Sequence, residues 1–244
     1  MAKRPFIRKP KRKKHGVNFW DNEYKRGGHI KLSTEASGDL KKFTKWLLRQ
    51  TGKAVLNQTG SVLDVGCGNG RNLKYLTDTY GIKGVGYDSS GSAISAAKAL
   101  GSTHSINYEN RSIANSLPLT DSSQSLVLDM MSSHFLNEAE RKHLRSEIYR
   151  VLKPGGWLFM KTFLGDQDKH TKRLLATHPG KEVGTYIHPI IGVPEYVYYE
   201  DELRDFLSQE FIIHKIYRSH KHIRQGRAGK RRTISVYAQK DPIG

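Results

Sequence analysis

One cysteine among 244 residues, Cys67, excludes a disulfide framework and any cysteine-rich zinc module. That usage fits a reducing compartment. No apolar run approaches the roughly 20 residues a membrane span needs, and the basic N-terminus lacks the apolar core of a signal peptide. A soluble cytoplasmic protein with no membrane partner is expected, or a nuclear one in a eukaryote. Acids are missing from two stretches. Residues 1–15, "MAKRPFIRKPKRKKH", carry eight Lys or Arg, and residues 218–232, "RSHKHIRQGRAGKRR", carry seven. Together they hold fifteen of the eighteen net positive charges, the kind of footprint a polyanion such as RNA would meet. A solubilising tail or a localisation signal is the plainer reading of the first stretch. His220 and His222 lack further ligands, so no metal site is expected.

The length allows one large α/β domain to bury its core unaided. Residues 1–17 lack apolar periodicity and read as a disordered basic arm; residues 18–240 read as a single domain. "FWDNEYKRGGHIKL" suggests a short helix and a Gly-Gly turn, and "GDLKKFTKWLLRQTG" is an amphipathic helix with Gly52 as its stop. After that, strand-like "SVLDVG", "KGVGYD", "SINYENRSIA", "SLVLDMM" and "GWLFMKTF" alternate with helical segments, which argues a largely parallel sheet covered on both faces. The Pro-Gly-Gly of "LKPGG" reads as a turn before the fifth strand. "FIIHKIYR" and "RTISVYAQ" are separated only by the basic loop and should form an antiparallel hairpin. Residues 165–200 read as a loop-like insertion on the substrate side.

In "VLDVGCGNGRN" three glycines, Gly66, Gly68 and Gly70, follow the first strand and precede a helix. Such a turn lets backbone approach a ligand at the carboxyl edge of the sheet, with the helix N-terminus facing negative charge. Alone, the turn also suits a dinucleotide. With Asp88 closing the second strand in "GVGYD" and "LKPGG" before the fifth, the pattern resembles the class I S-adenosylmethionine-dependent methyltransferases over about residues 55–165 and the closing hairpin. The resemblance implies a Rossmann-like α/β fold: a seven-stranded, mainly parallel sheet with an antiparallel last strand and helices on both faces. It implies S-adenosylmethionine as cofactor, with Asp64 near the amino group, Gly66 and Gly68 against the methionine portion, and Asp88 on the ribose. Cys67 and Ser89 belong to the same cofactor-binding set. Where the family often has an acidic adenine contact this chain has Ile113, and Ser125 stands for the usual aspartate before the fourth strand. Backbone at Ala114 or the side chain of Asn115 would substitute.

Methyl transfer is an in-line displacement that alignment and desolvation can drive without a dedicated base. The acceptor is correspondingly hard to read. With Cys67 in the cofactor turn, no thiol is free to attack a pyrimidine, and the Pro-Pro-Tyr or Pro-Pro-Phe of base-amino methyltransferases is absent. Asp129 and Lys161 end the fourth and fifth strands and look like members of the Lys-Asp-Lys-Glu tetrad of ribose 2′-O-methyltransferases. Lys31 is a candidate for the first lysine, whereas Ser235 stands in place of the glutamate. The plainer alternative has Lys161 snorkelling to solvent and Asp129 capping the next helix. His134 matches a histidine near the acceptor pocket of many small-molecule methyltransferase domains. Tyr186, Tyr196, Tyr198 and Tyr199 either stack on a base or pack as core. Catalysis is thus expected from Asp129, Lys161 and His134, on RNA through residues 1–15 and 218–232. The alternatives are a methyltransferase of small molecules or protein side chains, and a non-catalytic RNA-binding scaffold. A pocket closed by the insertion would favour the small molecule; an open basic trough would favour RNA.

Overall fold

The structure, a computed structural model, describes residues 17–27, 32–102, 106–219, 223–224, 227–228 and 231–243. The basic stretch 1–15, Lys31 and the middle of the basic loop, with His220 and His222, lie outside the described residues. Apolar β-branched runs at the middle of the sequence become the middle of the sheet. β1 (Ser61–Val65) and β4 (Gln124–Met130) are buried on both faces. β2 (Lys83–Asp88) and β3 (Ile106–Asn110) extend one side, and β5 (Leu152–Phe163) extends the other. Two short strands, β6 (Thr185–Ile187) and β7 (Pro194–Tyr196), pair with each other outside the main sheet. β8 (Ile212–Arg218) then precedes the two-residue strands β9 (Ile223–Arg224) and β10 (Arg227–Ala228), and β11 (Thr233–Gln239) closes the chain's last pairing. The seven-stranded sheet runs β3-β2-β1-β4-β5-β11-β8. The first five strands pair in parallel, and β11 is antiparallel to both β5 and β8, as expected.

Seven α-helices among the described residues surround it. α1 (Val17–Arg26) and α2 (Gly38–Thr51) precede the sheet; α3 (Arg71–Tyr80) and α4 (Gly91–Leu100) follow β1 and β2. α5 (Glu138–Val151) leads into β5, with α6 (Lys169–Thr177) and α7 (Glu200–Ser208) beyond it. One face of the sheet is sealed by Leu40, Phe43 and Leu47 of α2 with Leu73 and Leu76 of α3. The opposite face packs against Leu144, Ile148 and Val151 of α5 and Leu203 and Leu207 of α7. Strand order reverses between β1 and β4, so a crevice forms beyond their carboxyl ends.

Two expectations are corrected. The Pro-Gly-Gly segment is no turn before β5 but a bulge within it: the pairing jumps from Gln124–Leu152 to Leu126–Trp157. Lys240 anchors that bulge, accepting from Gly155 N–H and donating its own N–H to Gly156 O. Residues 165–200, expected as loop, hold α6 and the β6–β7 hairpin. Asp168 nucleates α6 by accepting from the His170 and Thr171 N–H groups, and Tyr186 is the hairpin's fully buried anchor.

Candidate active site

The chain leaves β1 through Gly66 and enters α3 at Arg71. Gly66 and Cys67 both donate N–H to Tyr87 O, at 2.8 and 2.9 Å, which ties the turn to β2. Asp88 ties it a second time: its Oδ2 accepts from Gly68 N–H and its Oδ1 from Ser90 N–H, each at 2.9 Å. At Gly66 the backbone is left-handed (φ +78°), and a Cβ would stand 2.3 Å from Ser132 Cβ. Over this bare backbone lies a cavity of about 530 Å³, walled at one end by Gly66, Cys67, Gly68, Asn69, Asp88 and Ser89. Ala114 is a correction: it does not line the cavity, its N–H donates to Ser112 Oγ, and Ile113 takes the wall position instead. Asp64 is also off the wall, only 1 % exposed beneath the turn, with no hydrogen-bond partner for Oδ2.

Helix α1 supplies part of the site that the sequence did not reveal. Trp20 and Tyr24, one helical turn apart, face the cavity together. Asp21 fastens the helix by accepting from Ser90 Oγ at 2.6 Å and Ser92 N–H at 3.1 Å, at the start of α4. Trp20 also meets Phe135 edge-to-face, with ring centroids 5.6 Å apart. The usable signal in "FWDNEY" was an aromatic pair at i, i+4 with an acid between, in a helix too short to fold for its own sake.

The expected catalytic set does not assemble at the cavity. Asp129 faces Met160 across the sheet and Lys161 faces Met130, so the alternation of the pleat sends the two side chains to opposite faces. Asp129 is buried, and its Oδ1 accepts from Ser132 Oγ at 2.7 Å and Ser133 N–H at 3.1 Å. It thereby caps the 3₁₀ turn Ser133–Phe135. Lys161 donates to Asp39 Oδ2 at 2.6 Å, which fixes α2 rather than a substrate. Ser235 does pair with Lys161, on β11. His134 is 1 % exposed, and neither ring nitrogen has a partner. Burial, with the nearby Glu195 opposing and Arg231 adding, pushes its pKa down to about 4. His134 therefore does not line the cavity, while its neighbours Phe135 and Leu136 form part of the cavity wall.

The family model for the methyltransferase domain matches residues 62–156, the span from β1 through the β5 bulge. Over that span the chain is similar to methyltransferase domains. It is 27 % identical over 153 residues to O-methyltransferase resE of Aspergillus sclerotiorum, covering 62 % of this chain and 54 % of that protein. It is 28 % identical over 143 residues to phthiotriol/phenolphthiotriol dimycocerosates methyltransferase 1 of Mycobacterium ulcerans, covering 58 % and 52 %. The chain thus spans about half the length of the curated relatives it matches. A solved S-adenosylmethionine-dependent methyltransferase of Methanosarcina mazei shares the fold at TM-score 0.65 and 24 % identity, over 76 % of this chain and 94 % of that one.

Three features of the cleft fit S-adenosylmethionine, the cofactor that the resemblance implies. Gly66 and Gly68 leave room where any side chain would strike Ser132 or Tyr24; Asp88 stands at the end of β2; and an unpaired carboxyl oxygen lies under the turn for a ligand that brings positive charge. Burial, then the neighbouring Asp88 and Asp129, push the Asp64 pKa up to about 8, against the pull of Arg71. Its sign for stability is opposite to that of His134. Between about pH 4 and 6.5 the unfolded chain protonates His134 while the folded chain keeps the proton on Asp64, and the two slopes cancel. From pH 6.5 to 8 the His134 difference is gone and the Asp64 difference remains, so this carboxyl is expected to cost the cofactor-free protein about 2 kcal/mol of stability across that window. Urea unfolding at each pH measures this; Asp64→Asn should remove the decline, and stability that rises from pH 6.5 to 8 would contradict it.

Proposed function

We propose that this methyltransferase transfers the methyl group of S-adenosylmethionine to a small molecule with an apolar body. The observation that carries the reading is the cavity wall away from the glycine turn, built from Trp20, Leu32, Phe135, Leu136, Val193 and Pro194 without a charged side chain among them. α1 contributes the first of these, the 3₁₀ turn after β4 the middle pair, and the β6–β7 hairpin the last pair. The insertion therefore forms part of the cleft's wall. Its tyrosines are core: Tyr186, Tyr196 and Tyr198 are buried, and only Tyr199 among them is exposed.

The basic segment near the C-terminus is partly spent inside the molecule. Arg218 pairs with Glu200 and Arg231 with Glu195, while Arg232 donates to Asp166 O at 2.7 Å. These charges hold the insertion to the sheet. The two curated relatives, one an O-methyltransferase and the other named for phthiotriol and phenolphthiotriol dimycocerosates, support an acceptor of this kind over RNA.

When bound, S-adenosylmethionine supplies a methyl group on a sulfonium, which needs only an aligned nucleophile. The chain's own contribution is to hold the two reactants in line and keep water out. Tyr24 roofs the donor end above Gly68, and Trp20, Val193 and Pro194 border the acceptor end. Incubation of the protein with methyl-labelled S-adenosylmethionine and fractionated cell extract tests the reading. Label is expected in the fraction extracted by organic solvent. Label in RNA would overturn the acceptor class, and label in no fraction would favour the non-catalytic scaffold.

A further inference from the structure

We propose that Asp64 is a charge-selective residue of the donor site: it holds a proton in the cofactor-free protein, releases it when cationic S-adenosylmethionine binds, and so favours the donor over its neutral product. The inference rests on the cofactor reading above and adds a role for a side chain that does not line the cleft.

Three aspartates stand near the carboxyl ends of three adjacent strands, Asp88 on β2, Asp64 on β1 and Asp129 on β4. Two of them are satisfied locally. Asp88 takes one N–H on each oxygen, and Asp129 takes a hydroxyl and an N–H. Asp64 differs, because its Oδ2 is buried with no donor, under the backbone on which the cofactor lies. The groups facing it from neighbouring elements are Asp88, Asp129, Cys67 in the turn, Tyr108 on β3 and Arg71 at the start of α3. Burial keeps the Cys67 thiol and the Tyr108 phenol neutral, so Arg71 is the one cation in that set. A carboxyl so placed keeps its proton until another positive charge arrives.

S-adenosylmethionine brings that charge. Its sulfonium and ammonium outweigh its carboxylate by one, whereas S-adenosylhomocysteine, having lost the sulfonium charge with the methyl group, is neutral overall. Across a thin, poorly polarisable layer of glycine backbone the difference is felt by Asp64. The proton leaves to solvent as the donor binds. Loss of the methyl group then removes the charge that held Asp64 ionised, which favours exchange of spent product for fresh donor.

The test is calorimetric titration of the full chain with S-adenosylmethionine between pH 5.5 and 7.5, in two buffers of different ionisation enthalpy. Over that range the donor's own amino group stays largely charged, and S-adenosylhomocysteine controls for it. About one proton released per donor is expected near pH 6 to 7, with affinity rising about tenfold per pH unit. S-adenosylhomocysteine should release fewer protons, so that the donor-to-product affinity ratio grows with pH. Asp64→Asn should abolish the release and flatten both profiles while still binding donor. A wild-type affinity independent of pH with no proton exchanged, or a proton count unchanged in Asp64→Asn, would overturn the proposal. If that variant does not fold, the wild-type proton count decides alone. Absence of any donor binding at every pH would instead refute the cofactor reading.

Discussion

Gly66→Ala is expected to weaken S-adenosylmethionine binding about a hundredfold, the equivalent of about 3 kcal/mol. Part of that cost is backbone: an L-residue held at the φ of +78° found here loses about 1–2 kcal/mol. The rest is collision, since the new methyl would lie 2.3 Å from Ser132 Cβ. Ser132 cannot simply swing away, because its hydroxyl bridges Val65 O and Asp129 Oδ1. The turn must therefore shift, taking the Gly66 and Cys67 N–H groups off Tyr87 O. Gly101→Ala is the control. Gly101 is also left-handed, at φ +66°, but has nothing within 4 Å of an added Cβ. It should cost about 1 kcal/mol of stability and leave affinity unchanged. Wild-type donor affinity in Gly66→Ala would show that the turn is not the cofactor's cradle.

Glu195→Ala should be the most destabilising single change in the insertion, at about 3–5 kcal/mol, with a fall in Tm on the order of 10 °C. Glu195 is 3 % exposed and pairs with both the Arg231 guanidinium and the Tyr186 hydroxyl. Arg231 lies 3.2 Å above the Phe163 ring centroid and 5.0 Å from that of Tyr186. Removing the carboxylate leaves a positive charge buried beside two rings without its ion-pair partner. Much of the loss is that orphaned charge rather than the worth of the pair, so Glu195→Ala with Arg231→Met should be more stable than Glu195→Ala alone. Because Pro194 lines the cleft and β7 packs on the 3₁₀ turn, the single variant should also loosen the acceptor wall. Calorimetric melting of the single and double variants checks both points. A loss under about 1 kcal/mol in Glu195→Ala would contradict the buried-pair argument.

The sheet and its helices were legible because their signals are local. Val62 to Val65 is a buried apolar strand interrupted by one acid, and Leu40, Phe43 and Leu47 recur at helical spacing. The glycine turn was legible for the same reason: its glycines and Asp88 follow directly on β1 and close β2. The apolar end of the cavity was not. Its wall is assembled from α1, the residues after β4 and a hairpin whose tip lies close to residue 190, which no spacing rule connects. The Asp129–Lys161 pair failed on register. The strands end at Met130 and Phe163, and Lys161 lies opposite Met130 rather than Asp129, a one-residue offset that reverses the face. The tyrosines of the insertion offered no periodicity to separate stacking surface from core, and burial decided for core. The basic loop looked free because its acids are distant in sequence: Glu195 and Glu200 reach Arg231 and Arg218 only once the insertion folds back.

The most direct measurement is calorimetric titration of the full chain and of Asp88→Ala with S-adenosylmethionine at pH 7. Asp88 holds both loops that border the donor end, through Gly68 N–H and Ser90 N–H. The expected result is one donor per wild-type chain and binding at least about thirtyfold weaker in Asp88→Ala, from the loss of charge-assisted hydrogen bonds worth about 1.5–3 kcal/mol each. No binding by the wild type, or equal binding by the two proteins, would contradict it.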